Sequence, residues 1–205
     1  GDNKTVSCGS LYLKDHGDSG NKNSLSVANT GTDEHTLTVE GDITIENAQT
    51  FNLYNNPGSN VTLNLIGNTS AEMNNSSGAT PALYRVIMNK DAAGLVTFSF
   101  MDAVTINGPT DGTDKAIELV SGRLGLRDPG IDVTLTSGGD DFKIPAGTQL
   151  WLGSNATVRA SGNNTGIWLD GELVLGYGTN AYLDEGTNNY IEYSASGSAR
   201  LELNS

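Results

Sequence analysis

Ser121-Gly-Arg-Leu-Gly-Leu126, Gly147-Thr-Gln-Leu-Trp-Leu-Gly153, Asp170-Gly-Glu-Leu-Val-Leu-Gly176 and Ser198-Ala-Arg-Leu-Glu-Leu203 repeat one short signature, a leucine pair L-x-L behind a small or polar lead. The first leucines of successive pairs lie 26, 23 and 28 residues apart. Two further sets fall between them: Val133/Leu135, Ala156/Val158 and Ala181/Leu183, then Phe142/Ile144, Ile167/Leu169 and Ile191/Tyr193. Apolar residues at period two mark a strand with one buried face, so each interval holds three short strands. Three strands in roughly 26 residues is the arithmetic of a parallel β-helix. A propeller blade needs about 40 residues and four antiparallel strands, and a leucine-rich repeat needs a fixed asparagine that is missing here.

The same interval continues upstream. Leu37 and Leu63 stand 26 residues apart and enclose Leu37-Thr-Val39, Ile43-Thr-Ile45 and Phe51-Asn-Leu53. Leu83 to Met88, Leu95 to Met101, Val104-Thr-Ile106 and Ile117-Glu-Leu119 then lead to Leu124. The polar stretch Asn68 to Pro81 is expected to be an excursion with at most a short strand. Gly122 and Gly125 argue against a helix over Ala116 to Leu126. The expected fold is all-β: a single-stranded parallel β-helix of about six turns of three short strands over 36–205. An irregular N-terminal cap over 1–35 precedes it, since Lys14 to Asn23 contains no apolar residue and a stack needs an atypical first unit to cover its core.

Composition narrows the function classes. Eleven Lys and Arg against 24 Asp and Glu give the 205-residue chain a net charge of -13, a field that opposes nucleic acid and anionic membranes. Hydrophobic residues make up 36% and glycine numbers 26. With the apolar residues at regular positions, this reads as turn-rich β structure rather than disorder. The single Cys8 forms no internal disulfide and no cysteine metal cluster. No run approaches the roughly 18–20 apolar residues of a membrane span, and Gly1 to Ser10 is no leader peptide, as in a mature secreted product.

The four L-x-L units resemble the passenger and stalk repeats of secreted bacterial adhesins with the right-handed parallel β-helix fold, and the resemblance covers about Thr36 to Leu203. It implies secretion, exposure at the cell surface, and a glycan or a host or surface protein as partner. Right-handedness rests on the resemblance together with the general preference of parallel crossovers. Because Leu203 lies two residues from Ser205, the last turn is expected to adjoin neighbouring domains of a longer chain.

With the leucines inward, Trp151 and Val174 point outward on one face and Trp168 on another, with Tyr182 and Tyr190 as companions. Exposed aromatic rings on a flat sheet stack against sugars or anchor a protein, so Trp151, Trp168, Tyr182 and Tyr190 are the candidate binding residues. Single exposed apolar residues are also ordinary surface features. The column Arg123, Gln149, Glu172, Arg200 reads as a solvated polar ladder.

Enzymatic constellations are weak. Asp140-Asp141 is the best carboxylate pair, but the Asn-x-Asp, Gly-His-Gly and Arg-x-Lys motifs of polygalacturonase-like hydrolases are missing. No Gly-x-Ser-x-Gly elbow occurs. His16 and His35 are expected in exposed loops without metal-ligand spacing. No catalytic residue and no metal ligand is assigned. A polysaccharide lyase or glycoside hydrolase stays as the alternative to a non-enzymatic binding module, and a structural spacer as the second alternative. Calcium is the one cofactor left open, through Asp128, Asp132, Asp140 and Asp141 beside Lys143; it requires about six to eight converging oxygens.

Overall fold

The computed structural model describes residues 3–14, 24–27, 31–46, 50–55, 58–91, 95–108, 116–128, 130–136, 141–153, 156–176, 180–185, 187–194 and 199–203, with the backbone alone at 132, 136, 160, 161 and 180–185. Every regular element among them is a strand. The chain lays down β1 (Thr5–Cys8), β2 (Leu11–Leu13) and β3 (Ser24–Ser26). It continues with β4 (Glu34–Val39), β5 (Ile43–Ile45) and β6 (Thr50–Asn52), then β7 (Asn60–Gly67), β8 (Ala71–Asn75) and β9 (Ala82–Leu83). Next come β10 (Arg85–Lys90), β11 (Thr97–Phe100) and β12 (Thr105–Ile106), followed by the long β13 (Ile117–Leu126) and β14 (Asp132–Thr136). The remainder is β15 (Phe142–Ile144), β16 (Thr148–Leu152), β17 (Thr157–Ser161), β18 (Gly166–Leu169), β19 (Glu172–Leu175), β20 (Asn180–Glu185), β21 (Tyr190–Tyr193) and β22 (Arg200–Leu203).

All pairings are parallel and join strands of successive coils. On the first face β1, β4, β7, β10 and the start of β13 stack; on the second, β2, β5, β8, β11, the end of β13, β16, β19 and β22. The third face is a seven-stranded sheet running β3, β6, β9, β12, β14, β17, β20. A separate three-stranded sheet of β15, β18 and β21 takes the first-face place in the later coils. The chain is thus a parallel β-helix, as its sequence interval predicts. Residues 1–35, expected as a cap, supply the first strand of each face: β1 pairs with β4, β2 with β5 and β3 with β6. The stretch read as an excursion carries β8, which continues the second face between β5 and β11.

Register sets the core. Leu124, Leu150, Leu173 and Leu201 face one another across neighbouring strands, as do Leu126, Leu152, Leu175 and Leu203. Leu124, Leu126, Leu150 and Leu152 are wholly buried, each stabilising the stack by about 1.5–3 kcal/mol. The inward column broadens upstream to Phe98 and Phe100, whose rings meet edge to face at 5.4 Å. Burial fades at the two ends of the stack, with Val6 61% and Leu203 72% exposed.

Corners are held by polar ladders. Asn164 and Asn188 both adopt left-handed φ, 57° and 58°, a conformation asparagine tolerates better than most residues. Their side chains join through Asn188 Nδ2 donating to Asn164 Oδ1 at 3.1 Å. Asn189 Nδ2 donates to the carbonyls of Thr165 (2.7 Å) and Gly162 (3.0 Å), satisfying turn oxygens that no strand reaches. The unit Asn163-Asn-Thr165 against Thr187-Asn-Asn189 is the sequence trace of this ladder.

Candidate functional site

In β16 the inward Leu150 and Leu152 leave Gln149 and Trp151 on the outer surface of the second face. Parallel register aligns Arg123, Gln149, Glu172 and Arg200 in one column. The adjacent column holds Gly125, Trp151, Val174 and Glu202. Together with Leu95, the two columns, Gly125 excepted, line a groove of about 330 Å³. Leu95 adopts φ 53°, and the carbonyl after it, on Val96, accepts the Arg123 amide at 2.9 Å.

The groove is more ordered than a solvated ladder. Gln149 is only 4% exposed, and its Nε2 donates to Glu172 Oε2. Arg200 Nη1 pairs with Glu172 Oε1 at 2.8 Å while its Nη2 contacts Glu202. Val174 is buried, so the outward position of this column is apolar at its floor rather than at its rim. Trp151 is half-buried, and the Arg127 guanidinium carbon lies 4.2 Å from its ring centroid, a cation–π contact that fixes the indole. Arg123 differs from Arg200: its Nε is buried and has no hydrogen-bond partner among the described residues.

The sequence candidates do not converge. Trp168 lies on β18, outside this groove, in the column Lys143, Trp168, Glu192, and is half-buried. Tyr190 begins β21 on that same sheet, opposite Gly166. Its phenol donates to Asp141 Oδ1 at 2.9 Å, and this hydrogen bond, more than burial, raises its pKa above the ordinary value. The side chain of Tyr182 lies outside the described residues. Trp151 therefore stands with polar neighbours on one sheet, and Trp168 and Tyr190 on another.

The carboxylate candidates take structural parts. Asp141 also accepts the Gly166 amide at 3.0 Å, and Asp128 Oδ1 accepts the Gly130 amide at 2.7 Å, closing its own turn. Asp140 and His16, and the side chain of Asp132, lie outside the described residues, and Lys143 is exposed. Among the described residues no group of three or more His, Cys, Asp or Glu side chains is placed to hold a metal ion. His35 is not in a loop: it sits in β4, half-buried, and its Nδ1 accepts the Lys4 amide at 3.1 Å, because β1 runs alongside. Near the first coil an apolar cavity of about 450 Å³ is lined by Val6, Cys8, Leu11, Leu25 and Leu37, among others. Burial raises the pKa of the Cys8 thiol, which disfavours the reactive thiolate.

Sequence reading missed Arg127 and the two-column character of the groove. Arg127 and Trp151 approach because Leu126 pairs with Leu152, which sets residue 127 one step beyond the neighbouring strand; no motif announces that. Comparisons with protein-family models, with curated proteins and with solved structures find no match.

Proposed function

We propose that this chain is an extracellular or cell-surface module of adhesin type, non-enzymatic, that holds a glycan in the groove of its second face. The observation that carries the proposal is the half-buried indole of Trp151 beside a column of planar hydrogen-bonding groups, Arg123, Gln149, Glu172 and Arg200. A sugar ring offers an apolar C–H face and a girdle of hydroxyls. The indole suits the first, and the amide, carboxylate and guanidinium groups suit the second. Arg127 over one face of the ring holds the indole in place, so little side-chain freedom is lost on binding at the other. The adhesin-like L-x-L repeats support the extracellular setting.

A hydrolase reading gains less support. Glycoside hydrolysis needs two carboxylates flanking the scissile bond in different protonation states, whereas Glu172 and Glu202 are both engaged by the single guanidinium of Arg200. Glycan-array binding of the parent chain and Trp151→Ala, with matched circular dichroism, is the test. We expect the parent to bind and the variant to lose about tenfold or more in affinity. A parent that binds no glycan, or a variant that binds as the parent does, overturns the reading. New reducing ends or unsaturated products from a polysaccharide panel would replace it with the enzyme reading.

A further inference from the structure

We infer that the glycan is acidic, and that Arg123 receives the carboxylate of one of its sugars. The inference rests on the glycan reading above and names the ligand class for the same groove. Three arginines reach this part of the second face, and two have partners: Arg200 holds Glu172 and Glu202, and Arg127 covers Trp151. Arg123 lines the groove with no carboxylate partner among the described residues, and its Nε is buried with no acceptor.

The neighbour that register gives Arg123 does not fill that role. Gln149 stands beside it, but the Gln149 amide donates to Glu172 on the far side. Of the groove's charged groups, Arg123 and Arg200 face Glu172 and Glu202, and Arg200 holds both carboxylates, so the Arg123 guanidinium is the charge left without an ion pair among the described residues. The terminal nitrogens of a guanidinium match a planar carboxylate with two parallel hydrogen bonds.

Placement agrees with a sugar acid. Arg123 and Trp151 sit on neighbouring strands, two residues apart along the strand direction, so strand spacing and rise separate their Cα atoms by roughly 8 Å. A ring stacked on the indole can present a carboxylate to Arg123 from the same sugar or the adjoining one. The net charge of -13 repels dense polyanions at long range, which favours a sparsely charged oligosaccharide.

The test is an array of uronate- and sialate-bearing oligosaccharides, each printed beside its own methyl ester and its neutral parent. The intact chain is expected to prefer at least one acid over its ester by about tenfold or more. Arg123→Gln should bind acid and ester alike while keeping its dependence on Trp151, and Arg123→Lys, which keeps the charge but loses the fork, should fall between. Equal binding of acid and ester by the intact chain, abolished by Trp151→Ala, overturns the acidic ligand and leaves the glycan reading standing. Binding of no carbohydrate overturns both. If Arg123→Gln fails to fold, the acid-to-ester comparison on the intact chain decides alone.

Discussion

Lys90 Nζ donates a 2.6 Å hydrogen bond to the carbonyl oxygen of Glu40, two coils earlier in the stack. It also donates to Ile66 at 2.7 Å and Thr69 at 3.0 Å. The side chain is wholly buried at the corner where the chain leaves the first face for the second. An ammonium has three donors and no acceptor, so one lysine on the β10 coil satisfies carbonyls of the two coils before it. Burial lowers its pKa, with Glu40 and Asp42 pulling the other way. Lys90→Met should leave all three carbonyls without this donor and lower stability by about 3 kcal/mol or more. Urea unfolding measures it, and a change below 1 kcal/mol would dismiss the lysine as a structural tie.

Tyr190 and Asp141 make a pH-sensitive contact. The folded pKa of the phenol lies above its ordinary value because the hydrogen bond to Asp141 favours the protonated form. Its contribution is therefore fully present below the unfolded pKa near 10 and is lost as pH rises through the folded value. In ultraviolet titration, Tyr190→Phe should remove one of the late-ionising phenols, and Asp141→Asn should bring that phenol back toward the ordinary range. An unchanged titration curve in Asp141→Asn would reject the contact.

Identical signatures should have unequal energetic weight. Leu150→Ala, at a site with no solvent exposure, is expected to cost about 2–5 kcal/mol through lost burial and the cavity left behind. Leu203→Ala, at a leucine 72% exposed, should change stability by less than about 1 kcal/mol. Chemical denaturation of the two variants under the same conditions compares them directly.

Gly122 marks the one-residue bend at which β13 passes from the first face to the second. It adopts φ +82°, and a Cβ there would lie 2.7 Å from the Val96 carbonyl oxygen. Gly147 has a similar φ, +78°, but open space around the Cβ position. Both alanine variants should show the cost of left-handed backbone, about 1 kcal/mol. Gly122→Ala should be the more destabilised because the strand beside it must also shift. Equal melting temperatures would show that the Val96 contact is easily relieved.

Arg127→Ala removes the cation over Trp151. Fluorescence of a Trp168→Phe background isolates Trp151, and its emission should move to longer wavelength as water reaches the ring, with stability falling by about 0.5–1 kcal/mol. Unaltered emission would mean that the indole is held by the groove alone.

The three strands per interval, the inward leucines and the outward direction of Trp151 were legible in the sequence, because alternation along a strand is local and needs no knowledge of neighbours. The first coil was not: Lys14 to Asn23 obscures the interval, and β1, β2 and β3 become recognisable only through their pairing with β4, β5 and β6. His35 was misplaced because its strand is defined across the coil, by Val61 of β7 opposite it, which no local pattern announces.

For the site, sequence alone determined which residue types share a column, since Arg123, Gln149, Glu172 and Arg200 hold equivalent places in the repeat. Tertiary structure alone decided which of them pair. Whether a guanidinium finds a carboxylate depends on rotamers and on spacing across strands, which set Arg200 on Glu172 and Glu202, Gln149 on Glu172, and Arg127 on Trp151. The repeat fixed the coil because hydrophobic burial follows periodicity. The unpaired guanidinium of Arg123 emerged only from packing, where Glu172 and Glu202 are both held by Arg200.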